Sequence, residues 1–156
     1  MGLDSYLTAK KYVSGYSFQR EPEEKKAYSA LVKASGLKEG DTIDGHAEIG
    51  FTLAYWRKAN QIHNWFVKNV QRGNDDCGEY SVSIEDLKNL RNTCQEVLDT
   101  GDKSLLPTQG GFFFGSTAYD EAYKEDLRET INQLDRNILK NPRLQNRWNF
   151  YYSSSW

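Results

Sequence analysis

Ala47-Glu48-Ile49-Gly50-Phe51-Thr52-Leu53-Ala54-Tyr55-Trp56-Arg57-Lys58-Ala59-Asn60-Gln61-Ile62-His63-Asn64-Trp65-Phe66-Val67-Lys68-Asn69-Val70-Gln71 carries two hydrophobic periods in one uninterrupted stretch. Up to Trp56, the residues Ile49, Phe51, Leu53 and Tyr55 recur at every second position, the spacing of a strand that sends alternate side chains to opposite faces. From Arg57 the period lengthens. Ala59, Ile62, His63, Phe66 and Val70 share one helical face, Lys58, Gln61, Asn64 and Lys68 lie largely off it, and Gly73 follows as a stop. The stretch therefore predicts a half-buried strand joined by a short link to an amphipathic helix.

Working outward, residues 3–18 hold Tyr6, Tyr12, Val13, Tyr16 and Phe18 among polar residues, a β-leaning segment. Pro22 with Glu21, Glu23 and Glu24 opens a short helix over about 22–35, ended by Gly36. Lys38 to Gly45 reads as a loop. On the C-terminal side, Asn74-Asp75-Asp76-Cys77-Gly78 is a turn into a short strand at 79–82. Ser83 with Asp86 forms a weakened capping box for a helix over about 84–99, closed by Gly101. Leu105 to Ser116, with Pro107, its glycines and three consecutive Phe, is loop or extended chain. Thr117 with Asp120 is expected to cap a last helix carrying Tyr119, Tyr123, Leu127, Ile131, Leu134 and Ile138, which Pro142 ends. Trp148, Phe150 and Tyr152 alternate in a final strand. Short links and alternating strands predict an α+β fold, an antiparallel or mixed sheet with about three amphipathic helices, centred near Phe66, Cys94 and Ile131, packed on it.

The chain has 156 residues, enough for one ordinary domain, and 1–156 is read as a single one. Its 4 Trp, 10 Tyr and 7 Phe supply more large apolar surface than a disordered chain carries. A net charge of −2 offers no global field for nucleic acid or anionic lipid, so general nucleic-acid binding is not expected. No apolar run approaches a membrane span, and the polar start differs from a secretory signal, so no membrane partner and a cytoplasmic location are expected. Cys77 and Cys94 fit neither a disulfide framework nor a zinc site, and both are expected as free thiols.

Several words stand out: Met1-Gly2-Leu3-Asp4 with Tyr6-Leu7; Tyr55-Trp56-Arg57-Lys58-Ala59-Asn60 with Ile62-His63, Trp65-Phe66-Val67 and Asn69-Val70-Gln71; Asp75-Asp76-Cys77-Gly78-Glu79-Tyr80; and Gly111-Phe112-Phe113-Phe114-Gly115-Ser116-Thr117. Over most of its length the chain thereby resembles a family of small uncharacterised bacteriophage and bacterial proteins. The resemblance implies a phage or prophage setting and an accessory role in the host-cell cytoplasm, such as countering host defence, and it brings no catalytic residues with it. The chain departs from the pattern near Glu48–Ala54, where a few residues stand between the Glu-Ile-Gly and Tyr-Trp words.

Gly110 to Thr117 nearly matches a phosphate-binding loop, but Ser116 stands where the lysine belongs and three Phe fill the loop. An ordinary helix cap at Thr117 and a Phe run in the core are the simpler reading. His63 shares its helical face with Ile62 and Phe66, so it should point inward and need a partner. Asp75, Asp76 and Cys77 follow just beyond that helix as candidates. His46 and His63 make no metal-ligand spacing, and neither a metal nor a cofactor is expected. Tyr55, Trp56, Arg57, Lys58 and Asn60 bring rings, two cations and an amide to a strand-to-helix junction. Rings can stack a base, cations meet phosphate, and an amide reads an edge. Cations in a first helical turn cost a few tenths to about 1 kcal/mol each unless an anion offsets them. The expected ligand-binding set is therefore Tyr55, Trp56, Arg57, Lys58, Asn60 and His63 with Asp75 and Asp76. The expected partner is a small anionic, nucleotide-like ligand or a host protein. The alternative is an enzyme acting on a nucleotide-type substrate through His63 with Asp75 or Asp76.

Overall fold

The computed structural model describes residues 2–16, 18, 21–38, 40–41 and 45–156. Met1 and parts of the 3–18 strand and of the Lys38–Gly45 loop lie outside the described residues. Elements run β1 (Asp4–Ser14), α1 (Pro22–Ala34), β2 (His46–Arg57), α2 (Asn60–Asn69), β3 (Tyr80–Val82), α3 (Ile84–Thr100), α4 (Glu121–Leu134), a π-helical turn at Asp135–Leu139, α5 (Pro142–Gln145) and β4 (Asn149–Ser155). The strands form one antiparallel sheet in the order β2-β1-β4-β3. Tyr80 opposes Tyr152, and Val82 opposes Phe150. The fold is α+β. The described chain divides into two compact units, Met1–Ala9 with Phe51–Trp156, and Lys10–Gly50.

The larger unit is built on an apolar core in which Leu7, Trp56, Ile62, Phe66, Leu87, Leu90, Leu127, Leu134, Ile138 and Tyr152 are buried. Removing that surface from water, at about 25 cal/mol per Å² of apolar area, is what holds α2, α3 and α4 against the sheet. The helix ends follow local chemistry. Ser83 accepts from the Asp86 N–H at 3.0 Å while Asp86 accepts from the Ser83 N–H at 2.9 Å, so the capping box is complete and not weakened. Gly101 closes α3 at φ 77°, a conformation that costs glycine little. At α4 the cap is Asp120, which accepts from the Tyr123 N–H at 3.2 Å. Thr117 lies outside the helix, because a carboxylate nearer the first turn competes better for its N–H groups. Pro142 opens the short α5, whose Asn141 cap accepts from the Arg143 N–H.

β2 is an edge strand, and its open backbone is covered in an unexpected way. Gln133 of α4 accepts from the Tyr55 N–H at 2.8 Å and donates to the Tyr55 carbonyl at 3.2 Å, and Asn137 in the π turn donates to the Leu53 carbonyl at 2.6 Å. Two amide side chains thus satisfy edge groups that would otherwise invite another strand. The alternation over β2 also departs from expectation. Phe51 and Tyr55 are exposed, and the residues buried in the larger unit are Ala54 and Trp56.

In the smaller unit, Val13, Tyr28 and Val32 are buried with Leu31, Ala47 and Ile49 against them. Lys10 pairs with Glu48 at 3.5 Å. Ala47 and Ile49 thus face the core of this unit, whereas in the larger unit Leu53 is only partly buried beside the fully buried Ala54 and Trp56, so one period of two does not describe the whole strand.

Both cysteines are free, Cys77 exposed and Cys94 buried on α3. Burial pushes the Cys94 thiol up to about 12, so thiolate is scarce at that site at neutral pH. A thiol-specific reagent at pH 8 should modify one cysteine of the native protein quickly, and the second only in denaturant. Rapid modification of both in native buffer would contradict the burial of α3.

Among the described residues, no helix is long and apolar enough to cross a membrane.

Candidate functional site

The strand-to-helix junction is made by two residues of unusual backbone. Lys58 has φ 59°, in the left-handed region, and Ala59 follows at φ −77°, ψ 72°, the values of an inverse γ-turn. The Asn60 N–H accordingly donates to the Lys58 carbonyl at 2.9 Å, and α2 begins at Asn60. Arg57 is thus the last residue of β2 and Lys58 precedes the helix, so neither cation occupies a first helical turn. The expected dipole penalty does not arise. What Lys58 carries is left-handed strain, about 1 kcal/mol or more for a residue with a Cβ.

That strain is held by two other segments. The Lys58 N–H donates to the Leu3 carbonyl at 2.7 Å, and the Leu3 N–H donates to the Phe113 carbonyl at 2.9 Å. A Cβ on Gly2 would lie 3.1 Å from Lys58 Cε, and one on Gly115 would lie 3.0 Å from Lys58 Cβ. Both glycines leave room for the lysine stem. The Gly2-Leu3-Asp4, Trp56–Asn60 and Gly111–Thr117 words, far apart in sequence, therefore meet around one lysine. Lys58 is exposed and has no carboxylate partner among the described residues.

Arg57 is different. Its Nη1 lies 3.2 Å from Asp4 Oδ1, and the Tyr55 hydroxyl donates to the same carboxylate at 2.5 Å. The bond to Asp4 raises the Tyr55 phenol above its ordinary value, and the Tyr55 hydroxyl followed by the Asp4 charge does the same for Arg57. Tyr55 remains exposed, its ring 5.3 Å from that of Tyr6.

Trp56 does not line a surface. It is buried beside Phe66, and its indole N–H donates to Thr130 Oγ1 at 2.9 Å. The reading of Trp56 as a stacking ring is corrected: at even positions this half of β2 faces the core. Asn60 is also buried. Its Nδ2 donates to the carbonyls of Phe114 at 3.1 Å and Ser116 at 2.8 Å, and its Oδ1 accepts from the Gln109 N–H at 2.9 Å. The amide expected to read a ligand edge is fully committed to holding the glycine-rich loop. In that loop Phe114 is buried whereas Phe112 is 96% exposed, so the Phe run is only partly core.

A cavity of about 190 Å³ opens beside Lys58, lined by Arg57, Lys58, Gln61, Ser116, Thr108 and Asp126 among others. Gln61 Nε2 donates to Asp126 Oδ2 at 2.8 Å, and burial pushes the Asp126 carboxyl above its ordinary value, with the Gln61 bond opposing. Two cations, the hydroxyl-bearing Thr108, Ser116 and Tyr123, the Asp120 carboxylate that caps α4 and the partly desolvated Asp126 carboxyl thus line one small space. Lys58 and Arg57 are suited to an anionic group, and Asp126 to hydroxyl or amino donors. Sequence reading missed Gln61, Asp126 and Ser116. Only Ser116, within a quoted word, carried a signal.

His63 is buried as expected, and both ring nitrogens are engaged. Nε2 lies 3.1 Å from Asp75 Oδ2, and Nδ1 lies 2.8 Å from the Tyr152 hydroxyl, whose oxygen is also hydrogen-bonded with Ser5 Oγ at 3.0 Å. A carboxylate only accepts, so Nε2 donates to Asp75. Phe114 stands edge-on at 5.2 Å, and Trp156 Nε1 donates to Asp75 Oδ1 at 3.1 Å. Burial raises the Tyr152 phenol well above its ordinary range, so it stays neutral. His63 therefore offers no nitrogen to a ligand and ties β1, α2, the 74–78 turn and β4 together. Asp76 is not part of this knot: it accepts from the Gly78 N–H at 2.9 Å and the Tyr80 hydroxyl at 2.9 Å, and these two bonds hold its carboxyl below the usual range. Of the expected set, the structure places Arg57 and Lys58 on the cavity, Tyr55 beside Arg57, Trp56, Asn60 and His63 in the interior, and Asp75 on His63.

Comparison of the chain with protein-family models, with curated proteins and with solved structures finds no match. The functional reading rests on the chemistry of the site itself.

Proposed function

We propose that this chain is a binding protein, a phage accessory protein by its resemblance, that takes the charged end of a small anionic, nucleotide-like ligand in the cavity beside Lys58. One observation carries the reading: a lysine without a carboxylate partner among the described residues is held in a strained backbone conformation, between two glycines, on a cavity that also carries hydroxyls and a second cation. Backbone strain persists only where surrounding structure enforces it, and it concentrates at functional positions. The cavity is smaller than the 300–1,000 Å³ usual for a whole drug-sized ligand, so it suits a phosphate with its nearest hydroxyls while the remainder extends outward. His63, with both nitrogens occupied inside the protein, favours binding over turnover.

The test is calorimetric titration of linear and cyclic nucleotides into the parent and into Lys58→Gly, followed by denaturation and chromatography of the ligand. Glycine accepts φ 59° without strain, so this variant should keep or slightly raise the unfolding midpoint. It should also weaken binding by about tenfold or more, as expected for loss of a charge-assisted contact. Ligand recovered intact supports binding, and converted ligand supports the enzyme alternative. Equal affinity in Lys58→Gly, or no binding by the parent across the panel, overturns the reading and points to a protein partner.

A further inference from the structure

A second cavity lies between the C-terminal end of α3 and the beginning of α4, separate from the polar residues around Lys58. Its volume is about 430 Å³, within the range of small-molecule sites. Val97 and Leu98 supply an apolar part of the lining, and Tyr119 and Tyr123 supply two rings, 5.1 Å apart and inclined at 71°. An edge-to-face pair of this kind presents aromatic surface to which a third flat ring can add.

Every charged group on the lining is a cation: Lys103, Lys124 and Arg128. Two of them are partly neutralised from outside it. Arg128 Nη1 lies 2.7 Å from Glu121 and 3.1 Å from Glu125, and Lys124 lies 3.6 Å from Glu121. Lys103 has no carboxylate partner among the described residues and sits 5.2 Å from the Tyr119 ring centroid. Its neighbour Asp102 is turned to Ser104, accepting from its N–H at 3.0 Å and its hydroxyl at 2.6 Å. Three cations against two carboxylates leave one positive charge over an apolar, ring-lined space. α3 has no basic residue in its last turn, so Lys103 is also the nearest following cation to that helix end.

We infer that this cleft is a second binding site, for a small molecule with a planar ring and a single negative charge. The ring packs with Val97, Leu98 and the tyrosines, and the anion meets Lys103. The site shares Tyr123 with the lining of the Lys58 cavity and none of that cavity's charged residues.

The probe is 2-naphthoate, titrated into the isotope-labelled protein and followed by amide chemical shifts. Saturable shifts at Val97, Leu98, Gly101, Lys103 and Tyr119 are expected below about 1 mM, the affinity reasonable for a ligand of this size. The neutral analogue 2-naphthamide should bind about fivefold more weakly, and Lys103→Glu should weaken naphthoate by about tenfold, because the charge pair lies beside low-dielectric rings. Lys103 is exposed, so its replacement leaves the fold intact, and the remaining amide spectrum verifies this. Lys58→Gly should leave naphthoate binding unchanged, which keeps this result distinct from the Lys58 test. Shifts scattered outside the cleft, no saturation by about 5 mM, or equal affinity for the amide or for Lys103→Glu would each overturn the proposal.

Discussion

His63→Ala is expected to lower the free energy of unfolding by about 3–4 kcal/mol, a large part of the 5–15 kcal/mol that holds a domain together. The ring has no solvent exposure. Its removal leaves a void against Phe114 and Tyr152, and it takes a hydrogen-bond partner from the buried Tyr152 hydroxyl, which keeps Ser5. Asp75 loses less, since it is partly exposed and keeps the Trp156 N–H. His63→Phe, which restores most of the volume without the nitrogens, should lose only about 1–2 kcal/mol, isolating the polar part. Urea denaturation of the three proteins measures both differences. An unfolding free energy for His63→Ala within about 1 kcal/mol of the parent, with binding or turnover abolished, would return His63 to the functional role that its inward position suggested.

Asn60→Ala is expected to cost about 2–4 kcal/mol, from three hydrogen bonds lost at once in a buried position. The carbonyls of Phe114 and Ser116 and the N–H of Gln109 would be left without that side chain, and the loop between Pro107 and Asp120 would keep to α2 the bond from Asn64 to the Pro107 carbonyl at 3.2 Å. Two further readouts follow: the Gln109 amide should exchange faster with solvent, and the loop should become a site of proteolysis. Asn60→Asp should be no better, since it keeps an acceptor for Gln109 but sets an anion against two carbonyls. Unchanged protection of the Gln109 amide in Asn60→Ala would show that the loop is held by other contacts.

These two residues show where a sequence argument stops. Both were singled out for chemistry because His and Asn at a strand-to-helix junction are the residue types a ligand needs, yet the same donors and acceptors also satisfy buried backbone. Side-chain type cannot distinguish the two uses. The distinction lies in whether the polar atoms end in water or against carbonyls from a loop some 50 residues away, and that depends on packing. For Lys58 the failure ran the other way. Its charge was legible, but its left-handed backbone, its separation from every described carboxylate and its place between Gly2 and Gly115 were not.

Local rules sufficed for what is local. The helical periods around Phe66, Cys94 and Ile131, the alternation near Phe150, the Ser83 box and the Gly101 stop are all properties of neighbours within a turn or two, and they determined an α+β chain with those elements in that order. The inward aim of His63 was readable for the same reason, because a helical face is set by a few adjacent residues. The tertiary structure decided what depends on distant partners. It placed Asp120 and not Thr117 at the α4 cap, and it turned Trp56 inward and Phe51 outward, with β2 facing different cores in the two units. It also set Gln133 and Asn137 against the open edge of that strand. The unit boundaries fall after Ala9 and after Gly50, within β1 and β2, where strand residues continue and no linker composition marks a division. Hydrophobic periodicity records that a side chain is buried; which core buries it, and which donors remain unpaired once that core has formed, are settled only when the chain has closed on itself.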